Sequence, residues 1–290
     1  MSVGDTSPTA SNPTASNPNA YTSGRVLIVA GSDSGGGAGL QADIKTVTAL
    51  GGFAMTAVTA LTVQNTHGVK DIMNVPPPFV AAQMMAVLSD LGADAVKTGM
   101  LARTEVIEAV APLLDDFSNP AVIDPVMVAS SGDRLLTEQA VSAMQSLMLP
   151  RAALVTPNMP EAEILTNRGV ETLDDMKHAA DRLMTDGARA ALIKGGHGND
   201  AVVTDLLAEQ SGFTVFENPR IDTKNTHGTG CTLASSIATG LGQGLALAAA
   251  IERGLVYVRR AIETANASLG TGHNKPLNHA HPVLDKSQDS

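Results

Sequence analysis

After an opening stretch with almost no apolar content, the chain alternates between short apolar runs and longer segments of helical spacing. Val26-Leu-Ile-Val-Ala30 predicts a buried strand, and residues 40–50 predict a helix. The same reading predicts strands over 55–63, 69–75, 95–98, 121–124, 153–155 and 190–194. It predicts helices over 79–91, 104–114, 137–149 and 173–185, with another opening near Thr156-Pro-Asn158-Met-Pro-Glu161. Pro76-Pro-Pro78 predicts that no helix begins before Phe79. Thr137 is a predicted N-cap, with Glu138 in the first turn. Residues 201–207 and 213–217 predict a late antiparallel pair, and two long helices follow at about 231–243 and 245–267.

Strands alternating with helices make βαβ units, hence a mostly parallel sheet with helices on both faces. Ligands of such sheets sit beyond the carboxyl ends of the strands. Those exits carry Gly31, Gln64, Gly99, Asp124, Asn158 and Gly195, which predicts one shared crevice. No long linker breaks the body, so one domain is expected over 25–290. Residues 1–24 are expected to be a disordered low-complexity tail. Pro8-Thr-Ala-Ser-Asn12 repeats at Pro13-Thr-Ala-Ser-Asn17, and too little apolar surface is present to offset the entropy of ordering. The tail lacks the basic start and apolar centre of a signal peptide.

Composition narrows the class. Hydrophobic residues make up 43% of the chain, enough for a sizeable core, but aromatics are only 2%, so that core is aliphatic. A net charge of -10 with no basic run argues against nucleic acid as a partner. No apolar run reaches the roughly 18–20 residues of a membrane span. The single cysteine, Cys231, excludes an intramolecular disulfide and fits a reducing compartment, so a cytoplasmic protein is expected. The seven histidines are scattered without zinc-ligand spacing.

Two glycine-bearing loops carry the candidate chemistry. Thr223-Lys-Asn-Thr-His-Gly-Thr-Gly-Cys231 runs straight into an apolar helix. A helix start with small residues presents unpaired N–H groups and a positive dipole end, which suits a phosphate. Cys231 sits there, where its thiolate is expected to be favoured. The plain alternative is a tight loop with a small buried Cys. Gly31-Ser-Asp-Ser-Gly-Gly-Gly-Ala-Gly39 places five glycines in nine residues between a strand and a helix. It is not a Walker loop, because no Gly-Lys-Ser/Thr follows, and it matches a dinucleotide fingerprint only loosely. Its plain alternative is a tight turn.

Eight motifs, in order, resemble the hydroxymethylpyrimidine/phosphomethylpyrimidine kinases of thiamine biosynthesis. They are Ala30-Gly31-Ser-Asp33 through Asp43-Ile-Lys45-Thr46, then Thr59 to Thr66, Lys97-Thr-Gly99-Met100-Leu101 and Asp124-Pro-Val-Met127. Ser131-Gly132-Asp133, Thr156-Pro-Asn158-x-Pro-Glu161-Ala162, Lys194-Gly-Gly-His197 and Asn225-Thr-His-Gly-Thr-Gly-Cys231-Thr232 complete the set. The resemblance covers about residues 25–283. It implies a ribokinase-like three-layer α/β/α fold, a homodimer, ATP and Mg²⁺. The implied reaction phosphorylates 4-amino-5-hydroxymethyl-2-methylpyrimidine and then its monophosphate. Vitamin B6 kinases share the scaffold, and a non-catalytic binding protein is the reading from another class.

The resemblance also implies roles. Gly228, Thr229, Gly230 and Cys231 form the anion hole, with Cys231 as catalytic thiol. Gln64, Gly31, Asp43 and Met100 belong to the substrate pocket. Lys194, Asn158 and Thr226 face the nucleotide, and Glu161 and Asp124 serve Mg²⁺. Gln64 can both donate and accept, which suits an aminopyrimidine edge. The plain readings are a solvated helix face for Asp43 and Lys45, core packing for Met100 and a turn cap for Asp124. Segments 65–78 and 128–135 are candidate lids.

Overall fold

The computed structural model describes residues 24–127, 137–196 and 200–282. The low-complexity tail apart from Gly24, the Ser131-Gly132-Asp133 motif, the 128–135 lid candidate and His197 lie outside the described residues.

Nine strands of the described residues form one sheet: β1 (Arg25–Ser32), β2 (Phe53–Asn65), β3 (Gly68–Asn74), β4 (Ala95–Thr98), β5 (Ala121–Ile123), β6 (Leu154–Val155), β7 (Ala191–Ile193), β8 (Val202–Glu209) and β9 (Gly212–Pro219). Their order is β3-β2-β1-β4-β5-β6-β7-β8-β9. The six strands from β2 to β7 in that order run parallel, while β3, β8 and β9 pair antiparallel at the edges. The chain leaves β1 for β2 on one side and later returns to place β4 on the other. That reversal of direction opens a crevice beyond the carboxyl end of β1.

Among the described residues eight α-helices cover the sheet: α1 (Gly39–Ala49), α2 (Pro77–Asp90), α3 (Thr104–Val110), α4 (Glu138–Ala143), α5 (Met159–Thr166), α6 (Leu173–Thr185), α7 (Thr229–Gly242) and α8 (Leu247–Glu263). Alternation along β1 shows the two-sided core. Val26, Ile28 and Ala30 pack with Leu233 and Ile237 of α7 and Ile251 of α8. Leu27 and Val29 pack on the other face with Val80 and Met84 of α2 and Ile107 of α3. Both faces of the central strands are buried, so they read as continuous apolar runs rather than as alternating ones.

Two expectations change. The second helix begins at Pro77, not Phe79, because proline at the first helical positions gives up only N–H groups that have no intrahelical partner. The predicted helix over 137–149 is three pieces, an α-turn to Ala143, a π-turn over Met144–Met148 and a 3₁₀ turn over Leu149–Arg151, capped by the Thr137 side chain as expected. The lid candidate at 65–78 is mostly β3 and the start of α2, and its tip is tied down. Thr66 accepts hydrogen bonds from Asn274 and Gly272, and His67 meets Thr271. Among the described residues no helix is long and apolar enough to cross a membrane.

Candidate active site

The strand exits do converge. A crevice of about 690 Å³ is lined by Gly31, Gln64, Met100, Asp124, Asn158, Glu161, Lys194, Thr226 and the Gly228–Cys231 turn. Asp43 is the exception among the expected site residues. It is 0% exposed and lies beneath the crevice, where it pairs with Lys97.

The turn is built by sterics. Gly228 caps α7 with φ of 88°, in the left-handed region, and a side chain there would lie 2.0 Å from the Gly37 carbonyl oxygen. Only glycine meets both demands. Thr229 donates its N–H and hydroxyl to the Thr226 carbonyl, and Thr232 N–H returns to Gly228. The N–H groups of Gly230 and Cys231 precede the first intrahelical donor, Thr232, and both residues line the crevice at the positive end of a 14-residue helix.

Cys231 does not follow the expectation of a favoured thiolate. Burial pushes its thiol up to about 11. The Lys97 ammonium and the Gly39 N–H oppose that shift, while the Asp43 and Asp124 carboxylates add to it. The helix start is present, but low dielectric and two nearby anions outweigh it.

Beneath Cys231 lies a dry ion pair. Lys97 Nζ reaches both Asp43 oxygens at 2.9 Å, and both side chains are 0% exposed. Ser235, one helical turn after Cys231 on α7, donates to Asp43 Oδ1 at 2.7 Å. Burial alone would lower the Lys97 ammonium; Asp43, Cys231 and Asp124 together outweigh burial and hold it above its ordinary range.

Across the turn, Lys194 Nζ is 3.1 Å from Asp124 Oδ1, which also accepts from the Thr156 hydroxyl. Lys194 also sits 3.2 Å from where a side chain on Gly230 would begin, so its charge borders the anion hole. Asn158 and Glu161 form a capping box on α5: Asn158 Oδ1 accepts from Glu161 N–H at 2.8 Å, and Glu161 Oε2 accepts from Asn158 N–H at 2.9 Å. The Asn-x-x-Glu pattern therefore has a structural duty of its own. Burial pushes the Glu161 carboxyl up to about 7, with Asp124 adding and Lys194 opposing. Among the described residues no cluster of three acidic, His or Cys groups could enclose a metal. Two carboxylates on one crevice wall still fit an ion that keeps most of its water.

Gln64 also lines the crevice, with Met100 packed over Gly31. Two residues that sequence reasoning passed over organise it. Asp33 is 3% exposed and gathers the N–H groups of Gly35, Gly37 and Ala38. Its Oδ2 also lies 2.9 Å from His227 Nε2. Burial would raise the Asp33 carboxyl; His227 and the Ala38 and Gly35 N–H groups outweigh it and hold it below its ordinary range. Asp33, Lys97 and His227 all lie inside the resembling motifs, which was the available signal. Their pairings join residues far apart in the chain and could not be read from it.

The family model for phosphomethylpyrimidine kinase matches residues 33–278. The chain is 51% identical over 92% of its length to a thiamine biosynthesis bifunctional protein of Geobacter sulfurreducens, and spans 55% of that relative. It is 45% identical over 88% of its length to the hydroxymethylpyrimidine/phosphomethylpyrimidine kinase of Streptomyces coelicolor, and spans 93% of it. Among solved structures it resembles phosphomethylpyrimidine kinase from Clostridium difficile, with TM-score 0.74 and 35% identity over 82% of this chain and 99% of that one. An ADP complex of Bacillus subtilis pyridoxal kinase matches with TM-score 0.83 and 31% identity over 91% of this chain and 100% of that one. Family model, relatives and fold agree, and the chain belongs to the phosphomethylpyrimidine kinase family.

Proposed function

We propose that the protein uses ATP to phosphorylate 4-amino-5-hydroxymethyl-2-methylpyrimidine and then its monophosphate, giving the diphosphate used to build thiamine. The observation that carries this reading is a single crevice lined both by an anion-hole turn and by a two-way hydrogen-bonding amide, Gln64. Phosphoryl transfer is chiefly a matter of positioning and of neutralising charge. Gly230 and Cys231 N–H groups, with Lys194 beside them, meet the charge on the transferred group. One fixed donor of this kind contributes on the order of 3 kcal/mol to the transition state. Asp124 and Glu161 are the residues that would hold Mg²⁺, through water, where the ion would neutralise phosphate oxygens. Thr226 and Asn158 border the nucleotide side.

Cys231 is the group nearest the reacting hydroxyl in this reading. A protonated thiol cannot accept a proton, so Cys231 acts as base only in the fraction of molecules that carry thiolate. The Lys97 ammonium and Gly39 N–H enlarge that fraction, and burial reduces it. In a dissociative transfer the hydroxyl proton leaves late, so the demand on the base is small. The protein also works as a homodimer in this proposal. Leu61, Val63 and Met73 form an exposed apolar strip on the outer face of β2 and β3, opposite the side where Thr62, Gln64 and Ile72 face the crevice.

The test is ADP release by purified protein with MgATP and, in turn, the aminopyrimidine alcohol, its monophosphate and pyridoxal. Turnover is expected with the first two. Faster turnover with pyridoxal would move the assignment to a vitamin B6 kinase, and no ADP with any of them would favour a non-catalytic binding protein.

A further inference from the structure

His227 and Asp33 are nearly buried, at 7% and 3% exposure, between the glycine loop and the anion-hole turn. The imidazole ring is clamped: a side chain on Gly37 would lie 2.5 Å from its Cδ2. A carboxylate only accepts, so the 2.9 Å contact with Asp33 Oδ2 requires a hydrogen on His227 Nε2 whether the ring is neutral or charged. Gln64 Nε2 stands 3.4 Å from that same nitrogen. Two donors face each other there, and no hydrogen bond forms. On its other side, Gln64 Oε1 lies 3.2 Å from the Thr62 hydroxyl, which has a nearer acceptor in Ser32 O at 2.8 Å. Turning the amide over would aim Oε1 at a hydrogen that a charged acceptor already holds.

We propose that Asp33 and His227 are a specificity-determining positioning pair. By fixing the Nε2 hydrogen of His227 on Asp33, they leave the Gln64 amide nitrogen without a protein acceptor and set it to donate to a ring nitrogen of a heteroaromatic substrate. This rests on the reading of Gln64 as a substrate contact. Neither residue touches the reacting atoms; both act through Gln64.

The test is a double-mutant cycle read as steady-state constants for the aminopyrimidine alcohol and for ATP. His227→Gln keeps an N–H for Asp33 but offers Gln64 a carbonyl acceptor. It is expected to raise KM for the alcohol about tenfold, with kcat and KM for ATP within about threefold of the wild type. In a Gln64→Ala background the same change is expected to add nothing. Asp33→Ala removes the acceptor of the Nε2 hydrogen, is expected to give the same KM change and serves where His227→Gln fails to fold. Equal KM increases in both backgrounds, or a loss confined to kcat, would overturn the positioning role while leaving Gln64 as a substrate contact. An unchanged KM in Gln64→Ala alone would instead overturn the reading of Gln64, and this inference with it.

Discussion

Two sets of ion pairs divide the molecule. In and beneath the crevice lie Lys97–Asp43, Lys194–Asp124 and, an ion pair when its imidazole is protonated, His227–Asp33, with every side chain 12% exposed or less. On the outer helices lie Arg103–Glu105, Arg182–Asp186 and Arg259–Glu263, with side chains 22–56% exposed. The distances overlap, from 2.8 to 3.1 Å. Their energetics differ. Exposed pairs contribute little because water and salt screen them. Buried pairs cost several kcal/mol per ion in lost hydration, which their mutual attraction offsets only when the geometry is good and further hydrogen bonds form. A fold gains no obvious stability from three such pairs grouped at one sheet end, so their grouping marks chemistry rather than support.

The comparison breaks most visibly at Lys97. Lys97→Met leaves the Asp43 carboxylate buried without its cation, and the expected loss is about 3–5 kcal/mol in urea unfolding. Lys97→Met with Asp43→Asn should recover much of that loss, because the amide oxygen still accepts from Ser235 and no unpaired charge remains. Catalysis should stay impaired in the double variant, since the cation beneath Cys231 is gone. A double variant no more stable than Lys97→Met would mean that the pair is not what the site's stability depends on.

Cys231 comes next. Cys231→Ala is expected to cut turnover at least about tenfold while substrate affinity stays nearly intact, measured as kcat against equilibrium binding of the alcohol. The raised thiol makes the effect moderate rather than total. Unchanged turnover would remove Cys231 from the mechanism and leave the anion hole to act alone.

How much of this was legible beforehand follows from the range of the interactions. α6 over Leu173–Thr185 matches its predicted bounds because a Thr172 cap and an amphipathic repeat are local signals. The turn of small residues at 228–230 and the helix behind it were legible for the same reason. The thiol was not. Its shift comes first from burial and then from Asp43 of α1 and Asp124 of the β5 exit, more than 100 residues upstream of Cys231. Asp43 itself was placed in the pocket by motif, whereas Lys97 and Ser235 hold it under the floor. A motif names a residue near a site but cannot say whether its side chain points into the site or away from it.

A third, smaller effect tests burial without a charge pair. His279 is 6% exposed, its Nε2 lies 3.0 Å from the Thr232 hydroxyl, and Tyr257 donates to its carbonyl. Burial, with the Lys45 and His281 charges adding, pushes it down to about 4 from 6.5. The folded chain thus binds fewer protons than the unfolded one across that window, and stability falls as pH drops from 6.5 towards 4. Glu161 acts with the opposite sign, gaining stability as pH drops from about 7, but equally in both proteins compared. His279→Gln should therefore lose less stability than the wild type over this interval, by on the order of 1 kcal/mol in urea midpoints. Parallel curves would show that the imidazole gains a proton within the fold.

The smallest effect belongs to the exposed set. Arg182 and Asp186 lie four residues apart at the end of α6, 2.9 Å from each other. The order is the less favourable one, with the cation ahead of the anion, and Asp186 sits at the negative end of the helix dipole as its C-cap. Arg182 in the last turn gains from that dipole. Arg182→Ala thus removes a weak pair and a small dipole contribution while adding a better helix former. The expected change is at most about 0.5 kcal/mol, or roughly 1 °C in Tm, with no change in kcat. A loss approaching that of Lys97→Met would show that exposure does not set the worth of an ion pair in this protein, and the inference from buried charge to function would lose its basis.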